Sequence, residues 1–171
     1  SWLRHVNSCR VALRGYYGFI GQPFEHLGFR LARTEPVDGS RVFFSGPDSV
    51  AIGNNISINI GLKGIERILG TDICVLYDNT KLDFVSWSGV FGANPFHVGT
   101  GYVTCSILSL VPLSVPEGGV IGTLVLRAKT SSGSSTLSFA DESHTMVLDG
   151  NNNFVTPLDV SDSKTIIFTG G

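Results

Sequence analysis

The sequence predicts an all-β sandwich of jelly-roll or Greek-key type for residues 41–171, and three observations carry that prediction. The chain of 171 residues is 42% hydrophobic but only 15% charged, and it holds 21 glycines, a balance suited to many short strands joined by tight turns. About nine strand-like runs follow one another between turn formers, with no alternation of strand and helix patterns that would signal a parallel sheet. In Ile56-Ser57-Ile58-Asn59-Ile60-Gly61-Leu62 every second residue up to Leu62 is apolar, the period of a strand that buries one face against a second sheet.

The elements are read in chain order. Residues 34–40, Thr-Glu-Pro-Val-Asp-Gly-Ser, form a turn-rich linker that separates an N-terminal extension, 1–40 with the linker included, from the sandwich. Strands are expected over 41–45, 56–62, 71–77, 82–87, 102–110, 120–129, 135–139, 145–148 and 165–169. Residues 64–69 hint at a single helical turn. The run Val120-Ile121-Gly122-Thr123-Leu124-Val125-Leu126 is apolar on both faces, as in a central strand, and Gly122 within it marks a bulge or a close backbone approach.

Composition excludes several partners. A net charge of −2 and a pI near 6.0 provide no broad positive field for nucleic acid. The most apolar run, 103–115, is broken by Thr104, Ser106, Ser109, Pro112 and Ser114, and it is far shorter than the roughly 20 residues of a spanning helix, so no membrane insertion is expected. Ser1-Trp2-Leu3-Arg4-His5 lacks the basic start and apolar stretch of a signal peptide; the chain is read as starting after processing or partway through a longer protein. Of Cys9, Cys74 and Cys105, the last two lie in strand-like runs, so a disulfide across the sandwich and a pair of buried thiols are both open readings. No Cys/His spacing suits zinc.

Two resemblances add to this. Gly70-Thr71-Asp72-Ile73-Cys74-Val75-Leu76-Tyr77-Asp78, then Leu82-Asp83-Phe84-Val85-Ser86, resembles the strand, turn and strand of the cohesin family. Gly122-Thr123-Leu124-Val125-Leu126-Arg127-Ala128-Lys129, with the Gly/Ser turn and Thr-Leu-Ser strand after it, resembles a later strand of the same family. The resemblance spans about residues 41–169 and implies a non-catalytic module that binds a protein such as a dockerin. Residues 1–33, through Cys9-Arg10-Val11-Ala12-Leu13-Arg14 and Leu27-Gly28-Phe29-Arg30-Leu31-Ala32-Arg33, resemble the C-terminal end of the formylglycine-generating, sulfatase-modifying family. That family's active cysteine pair is missing here, since the matching positions near Ser1 and Val6 hold no cysteine and Cys9 is out of step.

The N-terminal extension carries two alternating apolar runs, with Val11 and Leu13 in one and Phe29 and Leu31 in the other. Such runs need a covering surface: a missing parent domain, the sandwich itself, or the open sheet edge of another subunit, which repeated head to tail makes a fibre.

Candidate chemistry is sparse. The histidines His5, His26, His97 and His144 sit in no recognisable catalytic context. Asp141-Glu142-Ser143-His144 groups an acid, a hydroxyl and an imidazole, but sequence neighbours seldom converge on one atom. Asp149, Asn151 and Asn153 provide hard oxygen ligands for calcium, against the plainer reading of an Asp-Gly turn; no other cofactor is implied. Trp87, Phe91, Phe96 and Tyr102 surround a glycine-rich loop and are a candidate glycan-stacking set or core plugs. Asn55-Ile56-Ser57 fits an N-glycosylation acceptor, and the hydroxyl-rich 130–136 reads as a hairpin loop. The leading expectation is an exported or cell-surface, non-catalytic protein assembling through its sandwich, by a protein partner or by self-association. The alternative is a carbohydrate- or cell-wall-binding accessory part of a formylglycine-generating-type surface enzyme.

Overall fold

Alternation decides which side of each strand is buried. In β3 (Asn55–Lys63) Ile56, Ile58, Ile60 and Leu62 are buried, and Ser57 faces out. The computed structural model describes residues 39–90, 94–129 and 132–170. Its other strands are β1 (Arg41–Ser45), β2 (Ser49–Ala51), β4 (Arg67–Leu76), β5 (Leu82–Gly89), β6 (Phe96–Gly99), β7 (Tyr102–Ser114), β8 (Val120–Ala128), β9 (Gly133–Phe139), β10 (Met146–Asp149) and β11 (Ser163–Thr169).

They form a four-stranded sheet in the order β1-β3-β8-β5 and a seven-stranded sheet in the order β2-β11-β9-β4-β7-β6, with β10 beside β4. Every pairing is antiparallel except β11 with β2. The core lies between the sheets: Val42, Ile58, Ile60, Leu124, Leu126 and Leu82 from the first meet Ile73, Val75, Val103, Ile107, Leu137 and Ile166 from the second. Removing large buried groups from such a core costs about 2–5 kcal/mol each, so this cluster holds the two sheets together.

The predicted class stands, and the details are corrected at several points. Among the described residues there are eleven strands and no helix. Residues 64–69 supply no helical turn: Gly64 takes a left-handed φ of 73° and Arg67 already opens β4. β2 escapes a sequence reading because it has only three residues, and β6 because its four sit in what reads as an aromatic loop. Gly122 meets both readings at once. The β3–β8 register slips there, with Ile60 opposite Gly122 but Gly61 opposite Val120, and the Trp87 ring lies where a Cβ on Gly122 would stand.

A disulfide across the sandwich is ruled out by register. Cys74 and Cys105 lie on adjacent strands of one sheet, Cys74 opposite Thr104 and Cys105 opposite Ile73. Residues directly opposite share a face and neighbours along a strand alternate, so Cys105 points into the core and Cys74 points the other way. Both are buried and neither is in a disulfide, and burial raises the Cys105 thiol far above its ordinary range. With both side chains buried and thiolate formation suppressed at Cys105, neither thiol should react with a maleimide in the native protein, and both should label after unfolding; peptide mapping by mass spectrometry checks this, and rapid native labelling of Cys105 would overturn the buried assignment.

Candidate functional site

The seven-stranded sheet has one face on the core and one facing away, and the register assigns each residue to a face. Thr71, Ile73 and Val75 of β4 share the core side with Ile107, Cys105 and Val103 of β7. Asp72, Cys74 and Leu76 share the other side with Ser106, Thr104 and Tyr102. His97 of β6 joins them opposite Thr104, Ser138 of β9 opposite Leu76, and Met146 of β10 opposite Asp72. Leu76 is 39% exposed, and the Tyr102 hydroxyl lies 3.4 Å from His97 Nε2. The corresponding side of the four-stranded sheet carries Ser57, Asn59, Thr123, Ser86 and Ser88 together with Phe43, Val125, Asp83 and Arg127, and Thr123 Oγ1 donates to Asn59 Oδ1 at 2.9 Å. Both outward faces therefore carry apolar, aromatic and titratable groups, and the one on the larger sheet is set apart by a buried carboxyl, Asp72.

Its electrostatic feature is Asp72. The side chain is fully buried; Ser106 Oγ donates to Oδ1 at 2.5 Å, and Oδ2 has no partner. Removal from water disfavours the ionised form and outweighs the help from Ser106, so the carboxyl is pushed up to about 6. Sequence reading placed Asp72 only as part of a strand motif. Opposite it stand Ser106 of β7 and Met146 of β10, strands distant in sequence, a placement that no local pattern reveals.

The other candidate residues fall elsewhere. Asp149 Oδ1 accepts from the backbone N–H of Asn151 at 2.8 Å and of Asn153 at 2.9 Å, the geometry of an Asp-Gly turn. That occupies one of the oxygens counted on for calcium. Among the described residues no cluster of three or more His, Cys, Asp or Glu has metal-holding geometry. Asn55 is exposed at the start of β3. Asp141, Ser143 and His144 do converge, contrary to expectation: Ser143 Oγ and His144 Nδ1 lie 2.5 and 2.6 Å from Asp141 Oδ1, because a tight turn folds them together. Ser143 Oγ is also 2.9 Å from that same Nδ1. A relay needs the acid and the hydroxyl on different ring nitrogens, so this arrangement is a turn and not a triad.

The aromatic set is dispersed. Trp87 is buried, with Nε1 donating to the Ser106 carbonyl at 3.3 Å, and so cannot stack on a sugar. Phe96 instead packs against Phe84 with ring centroids 5.1 Å apart. Phe91, Cys9 and the proposed assembly residues Val11, Leu13, Phe29 and Leu31 lie outside the described residues. No described helix is long and apolar enough to cross a membrane.

No protein-family model matches this chain, and no curated protein matches it; the resemblance of residues 1–33 to the formylglycine-generating family thus rests on sequence alone. Solved structures do match. A cohesin module from a family 33 glycoside hydrolase of Clostridium perfringens aligns over 77% of this chain and 98% of its own, with a TM-score of 0.64 and 17% identity. The sixth cohesin of scaffoldin B from Acetivibrio cellulolyticus, solved in complex with a Cel5 dockerin variant, aligns over 77% of this chain and 99% of its own, with a TM-score of 0.60 and 15% identity. The sandwich of this chain has the cohesin fold.

Proposed function

We propose that the sandwich is a non-catalytic binding module, exported or displayed at the cell surface, that docks a separate protein on the outward face of its seven-stranded sheet. The observation carrying this reading is the cohesin fold, one neighbour of which was solved with a dockerin bound. The face adds support: Leu76, His97 and Tyr102 give an apolar and aromatic patch on a rigid sheet, the kind of surface on which a few anchors carry most of the affinity. Catalysis finds no support, because the single convergence of acid, hydroxyl and imidazole among the described residues is wired as a turn.

The test is calorimetric titration of the full chain against a panel of dockerin modules, with Leu76→Arg as the face variant. At least one dockerin should bind with 1:1 stoichiometry, and Leu76→Arg should weaken it at least 100-fold, about 2.7 kcal/mol, with an unchanged melting temperature. If no dockerin binds, the dockerin reading fails. If one binds and Leu76→Arg leaves it unaffected, the assigned face is wrong.

A further inference from the structure

At one end of the four-stranded sheet lies a cleft of about 480 Å³, whose lining includes Arg41, Phe43, Lys63, Glu66, Val115 and Gly119. Register builds its floor. Arg41 of β1 stands directly opposite Lys63 of β3, and Phe43 stands opposite Gly61. Val42, between Arg41 and Phe43, is buried in the core, so alternation turns Arg41, Phe43 and Lys63 together to the outward face. The half-buried Phe43 ring lies over Gly61, where a Cβ would meet three of its atoms, and it also borders Gly119. The walls are tied to this floor and to each other: Leu62 N–H donates to the Gly119 carbonyl at 2.8 Å, and Val115 N–H donates to the Glu66 carbonyl at 2.8 Å. A cleft held in shape by its own backbone loses little freedom when a ligand enters.

Folding alone gives no reason for the charges. Residues directly opposite in an antiparallel pair hold their Cβ atoms about 5 Å apart, and like charges so placed are destabilising. Arg41 and Lys63 are both exposed, and among the described residues no ion pair includes either of them. The acids at hand are not bound to them. Glu66 stands in the cleft lining without an ion pair. Asp159, which bridges to Arg41 through the backbone, accepts with Oδ1 from the Ser161 N–H at 2.9 Å. Two facing cations beside an aromatic ring therefore await an anion that also has an apolar side.

We propose that this cleft binds an acidic saccharide, with the carboxylate of a uronate unit between Arg41 and Lys63 and its sugar ring packed on Phe43. A carboxylate answers both cations at once and takes parallel N–H···O bonds from a guanidinium. The C–H face of a pyranose packs on an aromatic ring, and its hydroxyls can donate to the Glu66 carboxylate. The volume of the cleft falls in the ordinary range of small-ligand sites. An acidic peptide would satisfy the cations but leave the Phe43 ring without a role, which is why a sugar is the better fit. The site lies on the other sheet from the docking face, so it goes beyond the dockerin reading, and either can fail alone.

The experiment is calorimetric titration of the full chain with tetragalacturonate and an alginate tetramer, beside neutral galactotetraose and a hexaglutamate peptide. At least one uronate tetramer should bind with 1:1 stoichiometry and more tightly than either comparator. Arg41→Gln combined with Lys63→Gln should weaken that binding about 30-fold without lowering the melting temperature, because it removes two facing like charges. Phe43→Leu, which still covers Gly61, should weaken it about 10-fold; if that variant misfolds, the glutamine pair at two exposed positions decides alone. Leu76→Arg, on the docking face, should leave it unchanged. Absence of binding by both uronates, equal binding of galactotetraose or hexaglutamate, or full binding by the glutamine variant would overturn the proposal.

Discussion

Replacing Gly122 with alanine should destabilise the sandwich by about 3 kcal/mol, within the upper range for overpacking a well-filled core. The backbone of Gly122 is the floor on which the Trp87 ring rests, and an added methyl would occupy the space of that ring. Trp87 cannot retreat cheaply, because its Nε1 is committed to the Ser106 carbonyl across the sandwich, tying β5 of one sheet to β7 of the other. The measurement is denaturant unfolding of Gly122→Ala, Trp87→Leu and the double variant. The double variant should be more stable than the sum of the two single losses predicts, by about 1–2 kcal/mol, the sign of two residues competing for one space. Additive losses would show that the ring and the glycine do not contest it. Gly119 is a related case: its φ of 77° suits glycine, and a Cβ there would meet the Leu62 carbonyl.

The second large effect is on pH dependence. With its carboxyl raised from 3.8 to about 6 in the native state, Asp72 binds a proton more tightly folded than unfolded. Stability therefore falls as pH rises from about 4 to 6, and the penalty is complete above that, at about 3 kcal/mol. Asp78, Asp141 and Asp159 act in the opposite sense, held below the usual carboxylate range chiefly by the hydroxyls of Thr80, Ser143 and Ser161. Their contribution is present above pH 3.8 and is lost as pH falls through their lowered values. The protein should therefore be most stable near pH 4–5 and less stable at pH 7.5. Asp72→Asn imitates the protonated acid and keeps an acceptor for Ser106, so it should abolish the loss between pH 4 and 6 and exceed wild type at pH 7.5. Urea unfolding across pH 4–8 decides it: a wild-type stability that is flat or rising over that interval would show that Asp72 is solvated in the native state.

These expectations separate what a linear sequence can express from what it cannot. Alternation in β3, the two-sided apolar run of β8 and the glycine and Asp turns between strands are local properties, because strand period and turn conformation depend on neighbouring residues. They sufficed for the all-β class, for nine of the eleven strands, and for the sense that Gly122 was under constraint. β2 and β6 are too short to carry a period of their own and exist because longer strands offer them partners. The fate of Cys74 and Cys105 depended on which strands became neighbours and in what register, a long-range matter that placed them back to back in one sheet. Asp72 was visible as a residue of a strand motif, but its isolation arises from burial among residues distant in sequence. The sequence by itself determined the class of fold and its punctuation, through periods of two and turn chemistry; tertiary structure decided which polar groups lose water and which strands become neighbours, because both are set by non-local packing.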